Sequence, residues 1–264
     1  MAVQSQAFNT GAAVPWARPG VGAVATQSVS DRRYGWRGLE LLAGGASPDE
    51  ALEQLRSDDE LAEFRQVGIL AVDGSGAQWT GGECIPAAGH ARGGEWLAQA
   101  NLVESPRVWE SMGEAFDSAD GSLAERLMTA LDAAQAQGGD WRGRGGAAIL
   151  VVPAEGEPWD RVVDLRVEEG DGSLAELRRL LTRALGYRAA KRAAGDAAEI
   201  GVRYGLPDGH IRLLAIEDAV TTGDVASART LLASLEQEEP RWRDYFRTVS
   251  LLPELGGLKA LLDE

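Results

Sequence analysis

Strand-like sequence is confined to the front of this chain. After about residue 190 the strand signals stop and the text turns helical, as in DGHIRLLAIEDAVTTGDVASARTLLASLEQEEPRWRDYFRTV. A sheet must bury a face against another layer. The strands and the helices among them therefore form one layered unit, and the helical remainder is an appendage. The pattern predicts a main domain over residues 1–190 and a helical extension over 200–264, with the boundary near residues 185–205.

Within the front part, strands and helices come in clusters. Residues 1–27 alternate small apolar residues with glycine, as buried strands joined by tight turns do. Residues 35–43 and 48–56 read as helices. Ser47 supplies an N-cap, Pro48 the first helical position and Glu50 the acid of a capping box. The stretch RQVGILAVDGSGAQWTGGECI sets two strand-like runs about Asp73-Gly74, a strong hairpin signal. Residues 106–118 and 122–137 are two more amphipathic helices, with Leu123, Leu127, Leu131 and Ala134 on one face of the second. GAAILVVP is a buried strand, RVVDLRV alternates strictly, and residues 173–193 return to helix. Grouping of this kind fits layered α+β packing better than regular βαβ repetition.

The 264 residues carry 26 Lys and Arg against 41 Asp and Glu, a formal charge of −15. Nucleic-acid backbones and anionic membranes need clustered Lys and Arg, so neither is an expected partner. No apolar run approaches the roughly 18 residues of a membrane span, and no basic, then apolar, leader is seen. The single Cys84 excludes an internal disulfide framework and suits a reducing cytoplasm. No P-loop and no Gly-x-Ser-x-Gly elbow appear, and no cofactor is expected.

Several residues invite chemistry. Cys84 and His90 share the glycine-rich TGGECIPAAGHARGG, but their spacing marks neither a Cys/His nucleophile nor, with His210, a metal site. In GGDWRGRGGAA, Asp140, Arg142 and Arg144 sit between glycines just before a buried strand. Freed backbone N–H groups and two guanidiniums would hold an anion or a carboxylate there; a solvated turn is the plainer reading. Gln99 and Asn101 in LAQANLV share one face of a strand, either solvated or lining a pocket. In the tail, Gly223-Asp224, Ala228, Leu232, Leu235 and Pro240 keep the spacing of the second half of a tetratricopeptide repeat. A lone repeat needs a surface to cover, so the tail packs on the first domain or meets another chain, a second copy included.

Four segments taken together resemble one bacterial family, domain of unknown function 1028: FNTGAAVPWARPGVGAVATQ, TGGECIPAAGHARGGEWLAQANL, GGDWRGRGGAAILVV and VDLRVEEGDGSLAELRRLL. The resemblance runs from Met1 to about Leu181. It implies an α+β fold, a four-layer αββα sandwich like that of the N-terminal-nucleophile (Ntn) hydrolases, followed by a helical extension. In that fold a terminal Thr, Ser or Cys is the nucleophile and its own α-amine the base. Members of the family usually open with Thr-Phe-Ser-Ile, followed by a second strand. Here the sequence opens at Met-Ala-Val-Gln-Ser, where that second strand would already be under way. The catalytic residue is therefore not in this sequence, and its expected place is upstream of Met1. Gly145-Gly146 also stands where the family commonly has Gln-Ser after Gly-x-Asp-x-Arg-Gly-Arg.

The expected function is hydrolysis of an amide or amide-like C–N bond in a small molecule. Asp140, Arg142 and Arg144 would orient it, with Gln99, Asn101 and His90 as further lining. The rival is an inactive ligand-binding or scaffold protein whose tail holds a partner or a second copy.

Overall fold

The computed structural model describes residues 1–262. Two compact units form, Met1–Leu181 and the remainder from Thr182.

The first unit begins with β1 (Ala2–Ser5), β2 (Pro15–Arg18) and β3 (Gly22–Ser28), then α1 (Arg32–Ala43) and α2 (Pro48–Ser57). The capping box on α2 is present: Ser47 accepts from the Glu50 amide, and the Glu50 carboxylate accepts from the Ser47 amide. β4 (Arg65–Ala71) and β5 (Gly76–Thr80) are joined through Asp73-Gly74. Gly74 has φ 87, and Asp73 accepts from the Ser75 amide at 2.9 Å. β2, β3, β4 and β5 form one antiparallel sheet in that order. Gly22 at φ 152 faces the Leu70 carbonyl, which a Cβ would approach to 2.3 Å, so only glycine lets β3 and β4 close at this point.

Alternation decides what each face of this sheet meets. Val24 on β3 and Val67 and Ile69 on β4 are fully buried against Tyr34 and Leu39 of α1 and Leu52 and Leu55 of α2. Burial of side chains this size contributes about 1.5–3 kcal/mol each. The residues between them, Ala23, Ala25, Gly68 and Leu70, turn to the opposite face.

β6 (Gly89–Arg92) and β7 (Leu97–Ala100) form a separate ribbon. α3 (Arg107–Ser118) and α4 (Leu123–Ala136) pack on each other, and Ser122 and Glu125 give α4 its own capping box. β8 (Gly146–Val151) is buried along its whole length. It lies between β1 and β9 (Val163–Val167) in a three-stranded antiparallel sheet. α4 covers β8 and β1 on one side. On the other side Val3, Val14 and Ala148 meet Ala25 of the first sheet. The unit is thus α+β, with helices outside two facing sheets. The strict alternation expected over 161–167 is realised in β9.

α5 (Ser173–Ala190) crosses the division between the units. In the second unit, α6 (Ala197–Arg203) is held by buried Asp218, which accepts from the Gly195 and Ala197 amides at 2.8 and 2.9 Å. α7 (Asp208–Thr222), α8 (Val225–Glu238) and α9 (Trp242–Val249) follow. Gly223, at φ 85, ends α7, and Asp224 caps α8 by accepting from the Ser227 amide. Ala228, Leu232 and Leu235 are buried with Ile216, Phe246 and Leu258. This unit therefore has an apolar core of its own.

A buried ionic cluster ties the first unit together. Arg65 at the start of β4 is 5 % exposed, and it reaches Asp59 at 2.8 Å and Asp31, the N-cap of α1, at 3.7 Å. Tyr34 donates to Asp59. The hydrogen bond from Arg33 holds Asp31 below the usual carboxylate range, and that from Arg65 does the same for Asp59. Both folded values lie below the unfolded ones. Their stabilisation is complete above about pH 4 and is lost as pH falls through the folded values. Arg65→Met leaves the Asp59 carboxylate and the Tyr34 phenol without their cation, while Asp31 keeps Arg33. It should cost about 3 kcal/mol in urea unfolding at pH 7, and the deficit should shrink near pH 3. An equal deficit at both pH values would refute this role for the cluster.

Candidate functional site

Beside β1 lies a cavity of about 380 Å³. Met1 through Ser5 all line it. Successive strand residues point to opposite faces, so a cavity that meets all of them runs along the edge of β1 that β8 leaves unpaired. One wall is the inner face of the larger sheet, with Ala23, Ala25 and Gln27 of β3 and Gly68 and Leu70 of β4. Met112 and Phe116 of α3 and Leu127 and Leu131 of α4 form another. Gln99 and Asn101 enter from β7 and the residue after it.

An apolar space with a few placed polar groups is the usual make-up of a small-molecule site. Here the polar groups are mostly amides. Gln99 Nε2 donates to Gln27 Oε1 at 2.9 Å. Asn101 Nδ2 donates to Oε1 of the fully buried Gln66 at 3.1 Å. Gln66 Nε2 in turn donates to Thr80 Oγ1 and to the Gly89 and Ala100 carbonyls. Thr80 Oγ1 lies 2.8 Å from His90 Nδ1. This side-chain network runs from the cavity to a surface imidazole.

The second polar group is a carboxylate–guanidinium pair. Asp140 Oδ1 accepts from the Arg142 amide and Nε, each at 3.0 Å. Its Oδ2 accepts from Arg142 Nη2 at 2.6 Å, from the Gln6 amide at 3.1 Å and from Ser5 Oγ at 3.5 Å. Burial pushes the Asp140 carboxyl up, but the bonds from Arg142 and Gln6 outweigh it and hold the group below its ordinary value. Leu102 places this loop. At φ 58 it is in the left-handed region, and its carbonyl accepts from the Trp141 amide at 3.0 Å. Burial lowers the Met1 amine to about 5, and the amine donates to the Leu150 carbonyl at 2.6 Å.

Four of the six residues expected at a site, Asp140, Arg142, Gln99 and Asn101, border this one cavity. His90 and Arg144 do not. His90 pairs with Gln99 across the β6–β7 ribbon, so both face the larger sheet. Gln99 falls on the β3 side, over Gln27, and His90 on the β5 side, over Thr80. Burial against that sheet lowers the imidazole's pKa. Arg144 is exposed on the loop before β8 and lies outside the lining. Cys84 is buried, and its thiol donates to the Arg65 carbonyl at 3.1 Å. Gln4, Ser5, Gln27 and Gln66 went unread in the sequence. A signal existed for three of them: Ala2-Val3-Gln4-Ser5 and Ala25-Thr26-Gln27-Ser28 repeat one pattern, a polar pair ending a small apolar strand.

The model of the family of unknown function DUF1028 matches residues 1–177. The chain belongs to that family. The crystal structure of protein SPO2555 from Silicibacter pomeroyi, which carries the same family model, is similar to this DUF1028 chain. The two are 26% identical with a TM-score of 0.63, over 75% of this chain and 84% of the other. No curated protein matches.

In this DUF1028 chain Asp140 accepts from Ser5 of β1 and from Gln6 just after it, so its first effect is to fix the end of that strand. Asp140→Asn loses the charge that holds Arg142 and weakens the bond to the Gln6 amide. The expected cost is about 2 kcal/mol in urea unfolding, with faster proteolysis within residues 1–10. Unchanged stability would mean the pair is a solvated surface feature.

Proposed function

We propose that the DUF1028 unit is an Ntn-hydrolase-like protein that cleaves an amide or amide-like C–N bond of a small molecule held in the cavity beside β1. The observation that carries this reading is the cavity itself. It lies at a strand edge between layers, has apolar walls, and converges polar groups from β1, β3, β7 and the Asp140 loop. Helices α1 and α2, the two facing sheets, and helices α3 and α4 follow one another in the layer order of an αββα sandwich, which supports the same reading.

The nucleophile of this reading is a terminal hydroxyl ahead of Ala2, on a strand laid along the open edge of β1. Its α-amine takes the hydroxyl proton while the oxygen bonds the amide carbon. Collapse of that adduct breaks the C–N bond, the amine leaves with the proton, and water then cleaves the ester. Arg142 and the side-chain amides donate toward the oxygen that gains charge in the adduct. Asp140 keeps Arg142 in place and the local charge balanced.

The test compares two forms of the full chain. One carries the in-frame residues encoded upstream of Met1, and the other begins at Ala2, which has no hydroxyl. Amine release from a panel of acyl amides is read by fluorescence, and the first residue by mass spectrometry. Turnover by the longer form alone is the expected result. No cleavage by either form sinks the proposal, and equal cleavage by both places the chemistry elsewhere.

A further inference from the structure

The charges around the cavity do not close. Its charged side chains are Arg18, Arg142, Glu95 and Asp140. Both arginines are committed. Arg142 Nη2 lies 2.6 Å from Asp140, and Arg18 reaches Glu40, outside the lining, at 3.2 Å. The Met1 amine is engaged by the Leu150 carbonyl. Glu95 is left over. Among the described residues it makes no hydrogen bond and no ion pair.

The turn that carries Glu95 is held on three sides. It joins β6 to β7, and the Gly93 amide donates across it to the Trp96 carbonyl at 3.1 Å. Before it, Arg92 Nη1 donates to the Gly76 carbonyl of the larger sheet at 2.7 Å. After it, Trp96 Nε1 donates to Asp117 Oδ1 of α3 at 2.8 Å. Gly113 of α3 admits that indole, since a Cβ there would stand 2.0 Å from the ring. Glu95 is thus an exposed, solvated carboxylate on a fixed turn at the cavity's rim. A group held in this way loses little freedom when it pairs with a ligand.

We infer that the cavity takes an amide whose apolar chain ends in an organic cation, an ammonium or guanidinium group, and that Glu95 recognises the charge. The cation's N–H groups donate to the Glu95 carboxylate. Leu70, Leu97, Met112 and Phe116 border the space that its chain crosses. Gln99 lies four residues beyond Glu95, at most about 14 Å along the chain, so one extended ligand meets both the carboxylate and the amides. A carboxylate ligand finds no uncommitted arginine in the lining. The formal charge of −15 favours the same sign of ligand, because it draws cations to the surface. The inference rests on the reading of this cavity as the substrate site, but it does not require turnover.

The test is binding to the full chain by calorimetry, with probes that share one apolar chain: ω-aminooctanamide, ω-guanidinooctanamide, octanamide, ω-acetamidooctanamide and suberic acid monoamide. The two cations should bind about fivefold tighter than the two neutral amides, the range of an exposed ion pair, and the anionic monoamide should bind weakest. The preference should fade in about 1 M NaCl, where charges are screened beyond about 3 Å. Glu95→Gln should erase it without weakening octanamide. Glu95→Lys should transfer it to the anionic monoamide. Thermal unfolding of each variant confirms that the fold is kept. A stronger response to one of the two cations leaves the inference standing and names the group. Absence of binding by all five probes, equal binding across them, or a cation preference that survives Glu95→Gln would overturn it. Selective binding without hydrolysis leaves it standing and sinks the hydrolase reading alone. Hydrolysis of neutral and anionic amides as fast as of cationic ones does the reverse.

Discussion

Among the described strands β1 has one hydrogen-bonded neighbour, and the cavity follows from that. β8 pairs on both sides and is buried throughout, so the apolar layer beneath it is complete. At β1 the layer stops, while the larger sheet on one side and α3 and α4 on the other continue past it. Open space is left along the strand edge. Edges of this kind are commonly blunted by charge, proline or cover. This one carries Val3, Gln4 and Ser5, and the cavity lies along it.

The polar content of the space is costly, and the fold offsets the cost through Gln66. A fully buried amide is tolerable only if its donors and acceptor are used. Here Nε2 has three acceptors and Oε1 one donor. Because those partners lie on β5, β6, β7 and the residue after β7, one side chain fixes the β6–β7 ribbon over the sheet. The ribbon's register then decides that Gln99 reaches the cavity and His90 the opposite side. A one-residue slip would exchange the faces, which is why the pairing needs a buried polar anchor as well as Ala98 and Ala100.

How much of this the sequence announces depends on the range of the forces involved. Local signals were legible: the Ser47 cap, the Asp73-Gly74 turn and the alternating β9 are all decided within a few residues. The segment Pro15-Trp16-Ala17-Arg18, which carried the family resemblance, is β2, and family membership was legible through it. Asp140 and Arg142 stood out because glycines isolate them. Gln4, Gln27 and Gln66 did not, since a glutamine in a strand reads as solvated until the opposite layer is known. His90 and Arg144 were also expected at the site, but ribbon register and loop exposure leave them outside the cavity's lining. The order of the two sheets depends on contacts such as Val3 and Ala148 with Ala25, far apart in sequence, and no local pattern encodes it.

The kind of polar residue at the cavity matters as much as its position. A protein of formal charge −15 could surround its cavity with carboxylates, yet the cavity's lining residues include as many cations as anions, and the remaining polar side chains are amides apart from Ser5. Amides do not titrate, so the hydrogen-bonding face presented by Gln4, Gln27, Gln99 and Asn101 is the same across physiological pH. Asp140, which does titrate, is held below its ordinary value by the bonds from Arg142 and Gln6. In a low-dielectric space a fixed, uncharged hydrogen-bonding pattern discriminates by shape and by the count of donors and acceptors, where a net charge would attract any counter-ion.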